Sequence, residues 1–317
     1  MVTMGYVLSC EEHRPNDLVD LARRAEDVGF AYALISDHFH PWIGRQGNSA
    51  FVWSVIGAIA RETTRIRVGT GVTCPTMRMH PAIVAHAAAT AATMLEGRFF
   101  LGVGSGENLN EHVLGDRWPS VQQRHAMLEE AVTIIRLLWQ GGQHNWYGRH
   151  YTVENARIFT LPDEPPPVYM SAHGDKATAL AGRIADGLIG VIAREESLRL
   201  FEDSGGAGKP RLGQVKVCYA ADEERARRTA HEWWPTIGMS GQLSQDLSMP
   251  SHYESVAKLV TEDGVARRVA CGPDPEVHLA MIRQYADIGY DHVNVHQIGP
   301  DQEGFFRFYE REVLPRL

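Results

Sequence analysis

Ile35-Ser36-Asp37-His38-Phe39-His40-Pro41-Trp42 follows a short apolar run, residues 32–35, that reads as a buried strand. An acid, a base and a flat aromatic ring, Asp37, His38 and Trp42, are thereby collected at a strand's carboxyl end. In an α/β barrel that end carries the chemistry, because the loops after the strands converge there and bring side chains from several strands into one pocket. Residues 99–110, Phe99-Phe-Leu-Gly-Val-Gly-Ser-Gly-Glu-Asn-Leu-Asn110, repeat the order: apolar strand, glycine turn, then Glu107 and Asn110.

Outward from these two stretches, strand-like and helix-like patterns alternate. Residues 4–8 are apolar, and 15–29 have helical spacing at Leu18, Leu21, Ala22 and Ala25, with Gly29 as a stop. Residues 51–61 read as a helix, 66–72 as a strand, 81–95 as an alanine-rich helix opened by Pro81, and 98–104 as a strand. A further amphipathic helix covers 121–139, and later strands fall at 168–171, 187–192, 215–220 and 292–297. Eight strand candidates separated by helices predict a closed (β/α)8 TIM barrel rather than an open sheet. All of residues 1–317 read as one such domain with two insertions, roughly 141–167 and 238–264. The first, with Trp146, Tyr147 and Tyr151, suggests a hairpin; the second, irregular and rich in serine and methionine, belongs near the barrel mouth.

Thirty-one basic against 39 acidic residues leave a net charge of −8, spread along the chain, which argues against nucleic acid or an anionic membrane as partner. No run approaches the ~18 apolar residues that a membrane helix needs. Cys10, Cys74, Cys218 and Cys271 are far apart and form no CxxC, and no charged segment followed by an apolar one opens the chain, so a reducing cytoplasm is expected. The segment Gly102-Val-Gly104-Ser-Gly106-Glu107 has glutamate where the third glycine of a dinucleotide fingerprint belongs. Its glycines still permit close approach of a flat ring or a phosphate.

Each residue also has a plainer reading. His38 suits a satisfied structural histidine, Trp42 a core residue, Glu107 the first turn of a helix, and Asn108 and Asn110 caps. Asp37 and His40 suggest a metal pair, but no third ligand is placed to complete it, and no metal is expected.

Taken together, the sequence resembles the luciferase-like hydride transferases that use the deazaflavin coenzyme F420, and within them the F420-dependent glucose-6-phosphate dehydrogenase branch. The resemblance runs through Gly5-Tyr6, Ser9 and Glu11, residues 36–42, Gly69-Thr70-Gly71-Val72 with Thr76, residues 102–110, 168–172, 182–187 and 305–317. It implies a luciferase-like barrel with F420 in its mouth and hydride transfer between a substrate alcohol carbon and C5 of the deazaflavin. Such a reaction needs a base for the hydroxyl proton and a donor for charge developing on the ring. His38 suits the first task and Glu107 the second, while Glu11 orients His38 or the substrate hydroxyl. Trp42 packs beside the reacting centre and the substrate. Cofactor contacts implied by the resemblance are Asp37, Gly71, Val72, Ser105, Gly106, Glu107, Asn110, Ala172, His173 and Gly174, with a cis peptide before Val72. His173 either touches the coenzyme's phosphate or fills its loop.

The resemblance is weakest at the substrate end. Where that branch holds the sugar phosphate with a threonine and three basic residues, this chain has Val191, Arg194, Ser244 and Arg268. Arg194 and Arg268 either clamp a phosphate or carboxylate or are ordinary surface arginines. A small alcohol or sugar phosphate is the expected partner, with a homodimer as the family's usual assembly. The open alternatives are an F420H2-dependent reductase of a ketone or activated alkene, a flavin (FMN)-dependent luciferase-type monooxygenase, and an F420 carrier without turnover.

Overall fold

Short apolar strands have no side chain to offer water on either face, so they are stable only with both faces covered. The computed structural model, which describes residues 2–239 and 241–317, solves this by closing the strands on themselves. Met1 and Ser240, the latter inside the second expected insertion, lie outside the described residues. The strands are β1 (Thr3–Leu8), β2 (Tyr32–Ile35), β3 (Arg67–Thr70), β4 (Phe99–Val103), β5 (His144–Tyr147), β6 (Thr152–Ala156), β7 (Val168–Ser171), β8 (Gly187–Gly190), β9 (Arg211–Cys218), β10 (Ala270–Cys271) and β11 (His292–Gln297). Parallel pairing runs β1-β2-β3-β4-β7-β8-β9-β11 and returns to β1, an eight-stranded barrel, with β10 added outside β9.

Tyr32, Leu34, Phe100, Tyr169, Ile189 and Leu212 point inward and plug the barrel. The opposite faces of the same strands meet the surrounding helices in one large apolar cluster. Those helices begin with α1 (Pro15–Val28), α2 (Val52–Glu62), α3 (Pro81–Leu95), α4 (Asn108–Glu111), α5 (Val121–Leu138), α6 (Asp175–Ile184) and α7 (Glu195–Phe201). The later ones are α8 (Glu223–Trp233), α9 (Leu243–Asp246), α10 (Pro250–Ala257), α11 (Glu262–Ala266), α12 (Pro275–Asp287) and α13 (Gln302–Phe308). Helix α1 starts at Pro15 and stops where Gly29 turns left-handed at φ 105°. On α3 the ring Nδ1 of His80 accepts the Ala82 amide at 3.2 Å, and alanines at 85, 88, 89, 91 and 92 are buried.

The first insertion is the antiparallel hairpin β5–β6, clamped because Glu130 accepts from the Trp146 indole and the His150 and Tyr151 amides. Tyr151 in turn donates to the Thr76 carbonyl at 2.9 Å, tying the hairpin to the loop after β3. The second insertion, expected to be irregular, holds the short helices α9, α10 and α11. Strand β9 starts four residues before the expected 215, since Arg211, Gly213 and Gln214 interrupt its apolar pattern; Gly213 leaves room for the Tyr285 ring, 2.3 Å from where a Cβ would sit.

At Gly102 a Cβ would lie 1.9 Å from the Thr70 carbonyl oxygen, a backbone atom with nowhere to go. Gly102→Ala is therefore expected to cost ~3 kcal/mol or more of unfolding free energy. Gly174→Ala, whose added methyl meets nothing within 4 Å, should change it by less than ~0.5 kcal/mol. Urea unfolding of both variants checks the contrast, and equal stabilities would refute it.

Candidate active site at the barrel mouth

Strands β1 and β2 end side by side, and their continuations carry the first half of the site. Glu11 is buried, with a side chain 3% exposed, and its Oε1 lies 3.2 Å from His38 Nδ1 in an ion-pair contact outside hydrogen-bond geometry. Its Oε2 accepts from Ser9 Oγ at 2.9 Å and Ser36 Oγ at 2.7 Å, and Ser36 Oγ itself accepts the Cys10 amide. Burial alone would raise the Glu11 carboxyl, but His38 and the hydrogen bonds from Ser36 and Ser9 outweigh it and hold the pKa below its ordinary value. Nε2 of His38 makes no hydrogen bond among the described residues, so the ring is oriented at one nitrogen and available at the other. The Trp42 ring sits 5.2 Å from the His38 ring and meets Tyr253 of α10 edge-on at 5.2 Å. Trp42 thus links the catalytic candidates to the second insertion.

Behind β3 and β4 lies a second buried group of charges. Asp37 accepts Thr73 Oγ1 at 2.7 Å and Arg78 Nη2 at 2.8 Å, so both of its oxygens are already engaged. It acts on the mouth by pinning Thr73 and Arg78. Arg78 continues to Glu111, whose Oε2 accepts the Arg78 amide at 3.0 Å. Burial raises Glu111 to about 7, against the opposing charge of Arg78. Between Gly71 and Val72 the peptide is cis, and Val72 packs on the barrel plug. His40 turns its Nδ1 to the Leu109 carbonyl at 2.9 Å, away from any role beside Asp37. Among the described residues no three His, Cys, Asp or Glu side chains group to hold a metal.

The loop after β4 is built without Cβ atoms where the chain crowds. A Cβ at Gly104 would lie 2.7 Å from Val72, and Gly106 adopts φ +77° with a virtual Cβ 2.7 Å from Cys74 Sγ. Glu107 takes the N-cap position of α4, yet its side chain makes no cap hydrogen bond, and it is half-buried. Asn110 Oδ1 accepts the Phe39 and His40 amides, while its buried Nδ2 has no partner. The amides of Ser105, Gly106 and Glu107 find no acceptor among the described residues, nor do those of His173 and Gly174 after β7. Ala172 donates to the Ile189 carbonyl. Unpaired amides on two neighbouring loops and an orphaned Asn110 donor form a donor set that fits a flat ring bearing carbonyls and a phosphate.

The substrate-end arginines are engaged elsewhere. Arg194 lies 3.6 Å from Asp175, and Arg268 Nη1 donates to the carbonyls of Ile237 and Met239 at 2.6 and 3.3 Å. Ser244 Oγ donates to the Gly241 carbonyl, and Val191 contributes its carbonyl to the Tyr285 hydroxyl.

Sequence reading missed Arg78, Glu111, Glu12, His296 and Lys216. Glu12 Oε1 accepts His296 Nε2 at 2.8 Å and the Trp234 indole at 2.5 Å, and Oε2 accepts the Gly299 amide. Strand parity carried the signal for His296 and Lys216, since both share a face with plug residues, but apolar periodicity passes over polar members of such a face.

Because the folded pKa of Glu11 lies below its ordinary 4.5, its ionised form contributes stability above that pH that is lost as pH falls through the folded value. Glu11→Gln should cost ~1–3 kcal/mol at pH 7, and the gap should narrow on acidification below the ordinary 4.5. A urea-unfolding series across that range tests this; a gap indifferent to pH would rule it out.

The chain is similar to known proteins over nearly its whole length. An F420-dependent glucose-6-phosphate dehydrogenase of Microbacterium testaceum is 36% identical over 325 residues, 99% of this chain and 96% of that protein. One of Nakamurella multipartita is 36% identical over 328 residues, covering 100% and 96%. The solved F420-dependent secondary alcohol dehydrogenase in complex with an F420-acetone adduct superposes with a TM-score of 0.92 at 29% identity, covering 99% of this chain and 98% of that one. With the family pattern described as luciferase-like monooxygenase matching residues 3–292, the chain belongs to the luciferase-like family.

Proposed function

We propose that this protein is an F420-dependent oxidoreductase that moves hydride between C5 of the deazaflavin and an alcohol or hemiacetal carbon, that of a sugar phosphate included. The observation that carries the reading is an acid-oriented histidine, Glu11–His38, walled by Trp42 in the same barrel mouth as two loops of unpaired amides. Relatives named as F420-dependent dehydrogenases, alike over nearly the whole chain, support it.

The amides of Ser105, Gly106 and Gly174, together with Asn110 Nδ2 and His173, would hold the coenzyme, with Gly71, Val72 and Ala172 against its ring and Asp37 fixing their support. When bound, F420 supplies the carbon that accepts or returns hydride. His38 takes the substrate hydroxyl proton at Nε2, and the electron density left on oxygen drives hydride from the adjacent carbon. Ionised Glu11 stabilises the imidazolium that results. Glu107, whose side chain makes no cap hydrogen bond on the coenzyme loop, is assigned to the negative charge that develops at the ring. Trp42 excludes water from the reacting carbon and turns an electron-rich face to positive charge. Residence in the cytoplasm, which rests on the scattered cysteines, and assembly as a homodimer, which rests on the family resemblance, are part of the same proposal. Among the described residues no helix is long and apolar enough to cross a membrane, and all four cysteines are buried and unpaired.

Oxidised F420 added anaerobically to the purified protein should bind and lose its visible absorbance when glucose 6-phosphate or a secondary alcohol is supplied. Turnover only with reduced F420 and a ketone would make it a reductase, and binding without turnover in either direction would make it a carrier. Tight FMN binding in place of F420 would overturn the cofactor. His38→Ala should retain F420 binding, read by coenzyme fluorescence, while kcat falls ~10²–10⁴-fold. An unchanged kcat would remove His38 from the base role.

A further inference from the structure

We propose that Lys216 is the anion receptor of the substrate pocket, its ammonium group binding the phosphate or carboxylate carried by the alcohol substrate. This rests on the oxidoreductase reading above and names the substrate class: an alcohol bearing an anionic group.

The placement follows from strand parity. Leu212 on β9 belongs to the inward plug, and side chains alternate along a strand, so Gln214 and Lys216 face the same interior. Lys216 stands two residues short of the strand's carboxyl end at Cys218, which puts it at the pocket floor rather than in the plug. In register beside it on β11 is His296, and on the other side β8 ends in Gly190 without a charged residue.

No counter-ion answers this lysine. It makes no hydrogen bond and no ion pair among the described residues, whereas the buried carboxylates around the mouth have partners: Glu11 has Ser9, Ser36 and His38, Asp37 and Glu111 have Arg78, and Glu12 has His296. Glu12, the carboxylate on that side of the wall, already accepts from His296, Trp234 and Gly299. His173, beyond β8, feels both Glu107 and Lys216, while burial is the only influence on the amine itself. Desolvation lowers the Lys216 amine to about 8, so at neutral pH it remains mostly charged. A half-buried cation without a partner is costly unless something that binds there supplies the opposite charge. Arg194, in an exposed 3.6 Å contact with Asp175, and Arg268, bonded to two carbonyls, lie outside the barrel strands, whereas Lys216 is on the barrel wall itself.

Lys216 is one of only four lysines in the chain, with Lys176, Lys209 and Lys258, which makes it observable. Reductive methylation with carbon-13 formaldehyde keeps the charge and labels all four, and the Lys216 resonance is assigned by its loss in Lys216→Arg. Inorganic phosphate titrated into the F420-loaded protein should shift that resonance selectively, and acetate in a parallel titration shows whether a carboxylate does the same. In steady state Lys216→Met should raise KM for glucose 6-phosphate at least about tenfold, with partial recovery in Lys216→Arg. A Lys216 resonance that moves with F420 but not with phosphate or acetate, or an enzyme that prefers propan-2-ol and is not inhibited by phosphate, overturns the proposal while the F420 reading stands. Should F420 fail to bind, that reading falls, and the same titration of the coenzyme-free protein still decides for or against Lys216.

Discussion

The ionised carboxylate of Glu11 is the joint on which the mouth depends. It is buried where β1 and β2 diverge, and a bare carboxylate there would be prohibitively desolvated. The chain answers with two serine hydroxyls on one oxygen and the imidazole of His38 beside the other. Each donor comes from a different point along β1 and β2, so satisfying one charge also fixes how the two loops leave the barrel. The Glu11 backbone carbonyl extends the joint by accepting the Asn48 amide at 3.1 Å, which draws in the segment beyond Trp42. Orientation of the histidine is thus a by-product of hiding an acid.

The second charged layer works in the opposite sense. Asp37, Arg78 and Glu111 share one cation between two carboxyls, and Asp37 has the closer contact, 2.8 Å against 3.7 Å. Glu111 is left under-compensated, which is why burial dominates and its pKa rises to about 7. It lies four residues after Glu107, the N-cap of the same short helix, and the Glu107 carboxyl adds to the rise. A buried acid close to half-protonated at neutral pH thus stands one helical turn from Glu107.

Much of this is legible in the amino-acid sequence. The barrel follows from apolar runs and helical periods, and residues 35–42 and 99–110 carry their chemistry in contiguous order, so His38, Trp42, Glu107 and Asn110 stand out from the order of residues alone. Glu11 needs the family resemblance, because nothing local marks an acid after β1. What stays hidden is long-range or polar: Arg78 reaches Asp37 across 41 positions, and Glu12 reaches His296 across 284. The second insertion reads as irregular because its helices are only four, eight and five residues long, too short to show a period. They are held instead by distant partners, with Asp246 taking the Trp118 indole and the Asn108 amide group, and Gln245 taking buried Arg124.

These same contacts distinguish the proposed substrate end from the proposed chemical end. The reacting centre is fixed by strand ends, whose spacing the closed barrel dictates, and by buried charges that tolerate no replacement without a new partner. Arg194 and Arg268 sit on segments outside the barrel, where an arginine gains as much from a nearby carboxylate or carbonyl as from a ligand, and each has settled on the protein. Recognition of an anion by such residues is easily lost as loops change. A lysine on β9 is different, because the strand points it into the pocket whatever the loops above do. Charge placed on the barrel wall therefore outlasts charge placed on the rim, and a pocket whose rim has been remodelled can keep its preference for anionic substrates.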